Sequence, residues 1–313
     1  SVLLRDPIAS AVGVMKDQWA AAIGLPAGCL WLELSILRGA LQGVGDYRSV
    51  GLSLVGEQTM RLVFGAVLAA VGLGVTGAYL GTPISFIIMG AYCALYLRRY
   101  SRDYAAAHPA VADTPPPEAA LSLREHAYRA WAPIAGLIVI AVLQNIDIIA
   151  AKHRFNGVKD LASSYAATAV AAKVLIWVAI GAGFYLVPEV SRRRAEGEDT
   201  RPVLVKALAI IGVCAVPVLL IFAFGAHPLL KLAFGSKRLA AENSLFVLGV
   251  AFTALAATYL AVQYMLALKR TWFLVVIGAL AVAEPVLLLQ ASRKPTDFAA
   301  VVLGVQAVGA LLA

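Results

Sequence analysis

Two charged side chains stand one helical turn apart inside a long apolar stretch of the sequence. Glu57 and Arg61 occur in SLVGEQTMRLVFGAVLAAVG, where neither charge has an obvious route to water. Their i, i+4 spacing places both side chains on one face of a helix, which also carries Gly65 and Gly72. Such a face can present Arg61 to a cavity, with Glu57 holding or tuning it. Alternatively, it can form an intrahelical ion pair that only joins two helices.

A lysine in the middle of a second apolar segment allows two similar interpretations. Lys173 follows three alanines at helical spacing and precedes Trp177 by one turn. The alanines leave room for the ammonium group, and Trp177 can supply a cation–π contact, which suggests a site for an anionic ligand. The alternative is that Lys173 pairs with Asp147 of the preceding helix.

Further polar residues stand at positions that are costly in an apolar helix. Gln144, Asn145 and Asp147 crowd one end of their segment, and Glu284 precedes Pro285 deep in another. The first group is either a polar lining of an interior site or hydrogen-bonding contacts between helices. A carboxylate beside a helix-kinking proline predicts a gate or a proton site, or else a neutral glutamic acid bonded to a freed carbonyl.

The composition shows which elements must position these residues. The chain is 61% hydrophobic, with a mean hydropathy of +0.83, and apolar runs of spanning length recur throughout. Only helices and closed barrels satisfy their backbone groups in lipid, and continuous rather than alternating runs favour helices. The net charge of +8 is therefore no sign of nucleic-acid binding, because Lys and Arg collect in the cytoplasmic loops of membrane proteins.

We therefore predict an all-α, polytopic transmembrane bundle of about nine helices. The expected spans are 16–38, 48–73, 75–98, 129–152, 161–191, 202–226, 240–268, 271–291 and 296–313. Residues 99–128 include ADTPPPE and form the one long polar connection, which predicts a linker between two lobes, 1–98 and 129–313. Both ends of the chain look cut, so we expect a piece of a longer protein.

The distribution of basic residues predicts an orientation. Alternating the loops puts thirteen Lys and Arg residues, Arg38 and Arg48 among them, on one side and eight on the other. The richer side, which includes the linker, is assigned to the cytoplasm.

Some familiar motifs carry no weight in this context. GLGVTG at 72–77 matches a dinucleotide-binding pattern in letters only, because it joins two spans and follows no strand. The histidines lack ligand spacing and no phosphate-binding loop occurs. We expect neither an enzyme nor a bound metal or cofactor.

The sequence resembles polysaccharide-biosynthesis exporters, which belong to the multidrug/oligosaccharidyl-lipid/polysaccharide flippase superfamily. The resemblance rests on RGALQG at 38–43, on Glu57 and Arg61, and on GLGVTG at 72–77. In the second lobe it rests on Asn145-Ile-Asp147, Tyr165-Ala-Ala, Pro188 and Ser191. Members have two six-helix lobes around a central cavity, so this chain would hold the fourth to twelfth helices. Without the first three we expect an incomplete first lobe.

The resemblance implies a transport function in the cytoplasmic membrane. An undecaprenyl-pyrophosphate-linked glycan would move from the inner to the outer leaflet by alternating access. Its pyrophosphate would meet a cationic cavity, for which the expected residues are Arg61, Lys173, Glu57 and Arg38. Ion coupling or a polar cavity lining is expected at Asp147, Asn145, Gln144 and Glu284. Membrane lipids and glycan-assembly proteins are the other expected partners.

Three alternatives stay open. A cation-coupled multidrug exporter of the same superfamily should favour acidic over basic cavity residues. Arg61 and Lys173 are basic and therefore disfavour this alternative. A membrane-embedded glycosyltransferase or polymerase would need catalytic carboxylates or a large outer loop, and the sequence contains neither, which disfavours this alternative. A degenerate membrane protein that transports nothing is compatible with the missing helices.

Overall fold

The computed structural model describes residues 6, 18–107, 123–158 and 160–312. These residues form two compact units, with the division between Ala120 and Leu121. The first unit contains α1 (Gln18–Gly43), α2 (Tyr47–Leu68) and α3 (Gly74–Ala107). The second contains α4 (Leu123–Arg154), α5 (Leu161–Ala172), α6 (Val174–Ala195), α7 (Arg201–Phe224), α8 (Ala226–Phe234), α9 (Leu245–Ala267), α10 (Phe273–Gln290) and α11 (Pro295–Leu312).

Membrane-spanning helices dominate the described part of the chain, which contains no strand. Eight helical stretches are long and apolar enough to cross a bilayer. One of them, Tyr47–Ala107, has 61 residues and is folded back on itself, so it supplies two of the predicted spans. The prediction of an all-α, polytopic helical bundle is confirmed.

The fold-back in the first unit is a tight helical hairpin of α2 and α3. A π-helical turn, Ala69–Leu73, leads into it, and the chain reverses at Gly72 (φ 102°) and Gly74 (φ 51°), values that favour glycine. A Cβ atom on Gly81 would lie 2.6 Å from the backbone nitrogen of Gly65. The glycine motif at 72–77 therefore serves backbone geometry and helix packing, and Gly65 receives a close neighbour rather than lining an open cavity.

The connection between α1 and α2 is shorter than the sequence suggested. Helix α1 continues to Gly43 instead of ending at 38, and only a three-residue turn separates it from α2. Asp46 caps α2 by accepting a 3.0 Å hydrogen bond from the backbone nitrogen of Ser49. Hydrogen bonds from Ser49 lower the pKa of the Asp46 carboxyl, as expected for a carboxylate at a helix N-terminus.

The second unit is built around α9. In its spanning stretch 61% of the residues are buried, as expected of a helix that is apolar on all sides, and it packs against α6, α7 and α11. Near one end of the unit, the rings of Phe155, Tyr165 and Phe298 contact one another with centroids 5.1–5.7 Å apart. These aromatic contacts join the end of α4 to α5 and α11.

Several predicted boundaries need correction. The segment predicted as one helix over 161–191 breaks at Lys173. This residue lies between α5 and α6, and its ψ of 0° departs from helical values. The short helix α8 was not predicted. Helix α3 continues past 98 to Ala107 and α4 begins at Leu123, so both ends of the predicted linker are helical. The stretch 112–118 and the opening residues 1–5 and 7–15 lie outside the described part.

Candidate functional site

The first unit holds a buried charged group that joins two of its helices. We call Arg38, Ser53, Glu57 and Arg61 the arginine–glutamate centre. Arg38 donates to Glu57 Oε2 at 2.9 Å, to Ser53 Oγ at 2.8 Å and to the Ser53 carbonyl at 2.9 Å. Arg61 donates to the other oxygen of Glu57, Oε1, at 2.6 Å. One carboxylate is therefore shared by two guanidinium groups.

The position of Arg38 differs from the one that we predicted. We predicted Arg38 at the start of a cytoplasmic turn, but α1 extends past it and its side chain is only 7% exposed. A charge inside a low-dielectric interior needs partners, and Ser53 and Glu57 supply them. Removing Arg38 from the loop residues leaves the charge bias, and thus the predicted orientation, in the same direction.

Arg61 differs from Arg38 in having unused hydrogen-bond donors. Its side chain is 34% exposed, and its guanidinium lies 5.3 Å from the centroid of the Phe86 ring. Its Nε atom is buried without a partner, and the contact with Glu57 is its one hydrogen bond among the described residues. A guanidinium has five N–H groups, so Arg61 retains donors for an anionic group.

The second unit holds a buried polar group in which acidic side chains outnumber basic ones, the reverse of the arginine–glutamate centre. Asp147, Lys173, Glu284 and Gln306 are all buried, and we call them the lysine–carboxylate centre. Lys173 Nζ lies 3.2 Å from Asp147 Oδ1, so the structure shows the pairing that the sequence left as one of two options. Tyr165 donates to Asp147 Oδ2 at 3.5 Å. The aromatic contact of Lys173 is with the ring of Phe252, 4.9 Å away, whereas Trp177 is exposed.

A glutamine on α11, Gln306, connects Glu284 of α10 to α4, the helix that carries Asp147. Gln306 Nε2 lies 3.3 and 3.1 Å from the two oxygens of Glu284, and 3.3 Å from the carbonyl of Leu143. Leu143 precedes Asp147 by one turn of α4, so Gln306 connects Glu284 to the helix that carries Asp147. Helix α10 continues through Pro285 to Gln290. The centre thus has two carboxyl groups and one ammonium group.

Two predicted polar residues lie apart from this centre. Asn145 is exposed and donates to the carbonyl of Ala141, within its own helix, at 2.9 Å. Gln144 is half-buried and makes none of the contacts described above. Of the three, only Asp147 is buried; around α4, Gln144 lies about 60° from it and Asn145 about 160°.

The sequence contained a signal for one of the residues that we missed. Gln306 is the one amide in the apolar stretch 298–312, and its helical position alone marks it as costly in lipid. Nothing comparable singled out Ser53 or Phe252. A serine and a phenylalanine are ordinary in apolar helices, and their roles depend on partners 15 and 79 residues away in the chain.

The fold and these two centres define a polytopic α-helical membrane protein with charged groups buried between its helices. No protein-family model matches the chain, and neither a curated protein nor a solved structure matches it significantly.

Proposed function

We propose that the chain is part of a membrane transporter that moves a lipid-pyrophosphate-linked oligosaccharide across the cytoplasmic membrane by alternating access. One observation carries this proposal: Arg61 is partly exposed and keeps unused donors although it lies in a spanning helix. A charge in such a position is costly unless it has a function. We assign to Arg61 the first contact with the pyrophosphate of the lipid.

The other members of the arginine–glutamate centre fit a supporting role. Arg38 makes three hydrogen bonds and is buried, so it has little capacity left for a ligand. Its ion pair fixes Glu57, and Glu57 in turn fixes one end of the Arg61 guanidinium. A held guanidinium binds phosphate oxygens in a bidentate manner and loses less side-chain entropy than a free one. The centre retains a net positive charge that complements the pyrophosphate.

The lysine–carboxylate centre supports a role in energy coupling. Its two carboxyl groups face a single lysine, so a full ionisation leaves one negative charge uncompensated in a buried place. A bound proton or sodium ion would restore neutrality. We assign the exchange of that cation to Asp147 and Glu284, with Lys173 as the internal counter-ion. Lys173 thus has a structural role within its unit in addition to the substrate contact that the sequence suggested.

A second function is favoured by the same carboxylates. A cation-coupled exporter of cationic small molecules also needs buried acidic groups that alternate between ion and cargo. Such an exporter would use Asp147 and Glu284 for recognition and would have no need for the unused donors of Arg61. The two functions therefore predict different cargo charges. In neither does the chain act as an enzyme, and glycan-assembly proteins would be partners only in the first.

Reconstitution of the full chain into lipid vesicles tests the proposal. A fluorescent polyprenyl-pyrophosphate oligosaccharide is incorporated, and its movement between leaflets is followed by a membrane-impermeant quencher under an imposed proton or sodium gradient. The control variant is Arg48→Gln, which changes an exposed arginine in the first turn of α2. The proposal is supported if gradient-dependent movement of the lipid is lost in Arg61→Gln and kept in Arg48→Gln. Transport of a cationic dye without movement of the glycan lipid would instead support the small-molecule exporter.

A further inference from the structure

The short helix α8 has the size and the pattern of a helix that lies in the membrane surface. It has nine residues and is about 14 Å long, too short to cross a bilayer, and it lies directly between the spanning helices α7 and α9. Leu230 is fully buried against the protein, whereas Leu232, 200° around the helix, is 89% exposed. Phe224, just before α8, is 86% exposed.

Three basic residues accompany this helix without an ion-pair partner among the described residues. Lys231 lies on α8, and Lys237 and Arg238 lie in the 3-10 turn Ser236–Arg238 that follows it. Lys231 and Lys237 are exposed, and Arg238 is half-buried. Clustered cations on an amphipathic surface helix attract acidic lipid headgroups.

An apolar groove begins beneath the same helix. Its volume is about 440 Å³, which is in the range of pockets that hold small ligands. The groove is lined by Val174 and Trp177 of α6, Ile221 and Phe222 of α7, and Leu229 and Phe234 of α8. Lys231 precedes the lining residue Phe234 by three positions and lies about 60° from it around α8. The groove therefore extends from the junction of α5 and α6, in the middle of the spanning stretch Leu161–Ala195, to α8, which carries Lys231.

We propose that this groove is a binding site for an acidic phospholipid, with one acyl chain along Trp177 and the headgroup phosphate at Lys231, Lys237 and Arg238. The apolar lining fits a hydrocarbon chain, and the unpaired cations at one end fit an anionic headgroup. A zwitterionic lipid fills the groove equally well but has no net charge for the three cations. The proposal does not depend on which cargo the chain moves.

Trp177 makes the proposal testable, because its exposed side chain would contact the acyl chain. The full chain is placed in bilayers of phosphatidylcholine with a minor fraction of phosphatidylglycerol, and either lipid is supplied with brominated acyl chains. The quenching of Trp177 is the difference between wild type and Trp177→Phe. We expect brominated phosphatidylglycerol to quench Trp177 about fivefold more strongly, at equal mole fraction, than brominated phosphatidylcholine, since one cation near the headgroup contributes roughly that factor.

Two variants show whether the cations are responsible. Lys231→Gln/Lys237→Gln changes only exposed side chains and should remove most of the preference. The matched variant Lys206→Gln/Arg270→Gln removes two exposed charges at the other end of the adjacent helices and should keep it. Equal quenching by the two lipids in the wild type would overturn the proposal, as would a preference that survives in the first variant. Relief of quenching by a trace of polyprenyl pyrophosphate, but not by unbrominated phosphatidylglycerol, would assign the groove to that lipid and also overturn it.

Discussion

Arg38 and Glu57 form a buried ion pair of 2.9 Å between α1 and α2, 19 residues apart in the chain. The pair joins α1 to α2, the helix that also carries Arg61. Because Glu57 is shared, any change at Arg38 also affects the position of the Arg61 guanidinium.

Removal of Arg38 should therefore destabilise the first unit strongly. Arg38→Leu leaves Glu57 paired only with the partly exposed Arg61, and breaking a buried pair on one side costs about 3–5 kcal/mol. Thermal unfolding in detergent measures the change. Arg48→Gln is the matched control, because Arg48 is an exposed arginine in the first turn of α2. An unfolding temperature for Arg38→Leu equal to that of the control would contradict the role of the pair.

The packing of the α2–α3 hairpin predicts a sharp difference between two glycines. A Cβ atom at Gly81 would lie 2.6 Å from Gly65 N and 2.7 Å from the carbonyl of Arg61, whereas one at Gly90 meets nothing within 4 Å. Gly81→Ala should lower the free energy of unfolding by about 1–3 kcal/mol through overpacking. Gly90→Ala should be neutral or slightly stabilising, because alanine favours helix. Equal stability of the two variants would show that the helices are not in close contact at Gly81.

The Glu284–Gln306 contact should behave as a coupled pair. Gln306→Leu leaves a buried carboxyl group without its donor, for an expected loss of about 1–3 kcal/mol. Replacing both residues, Glu284→Leu/Gln306→Leu, should recover much of that loss, because the unsatisfied group disappears with its partner. A double-mutant cycle on unfolding free energies measures the coupling. Additive losses would mean that the contact contributes nothing.

Cysteine labelling tests the spans themselves. In a background without Cys29, Cys93 and Cys214, single cysteines replace the exposed residues Val44, Ser101 and Asn156. Two antiparallel helices separate Val44 from Ser101, so a membrane-impermeant reagent should modify both from the same side. One span, α4, precedes Asn156, which should react from the opposite side. Labelling of Ser101 and Asn156 from one side would refute the topology.

The sequence was sufficient for most of the spans and for five of the charged residues within them. Continuous apolar runs predict helices that cross a bilayer, and a charge within such a run is conspicuous wherever its partner lies. For that reason Glu57, Arg61, Asp147, Lys173 and Glu284 were found without a structure. The same pattern predicted the Asp147–Lys173 pair as one of two options, because few other groups could neutralise either charge.

The sequence was insufficient where a contact depends on tertiary packing. Arg38 was placed in a turn because helix ends carry weak signals in apolar sequences, and the burial of its side chain depends on Ser53 and Glu57 of another helix. The break at Lys173 likewise could not be predicted from the local sequence, because no proline or glycine lies near it. With that break, the ammonium lies near Phe252 rather than near Trp177.

The central claim is that Arg61 binds the pyrophosphate of a lipid carrier, and a binding measurement tests it most directly. The affinity of the purified full chain for a short-chain polyprenyl pyrophosphate is compared between the wild type, Arg61→Gln and the control Arg48→Gln. Charge-assisted hydrogen bonds contribute about 1.5–3 kcal/mol, so Arg61→Gln should weaken binding by roughly ten- to a hundredfold. Arg48→Gln should leave the affinity unchanged. Equal affinities for the wild type and Arg61→Gln would contradict the claim.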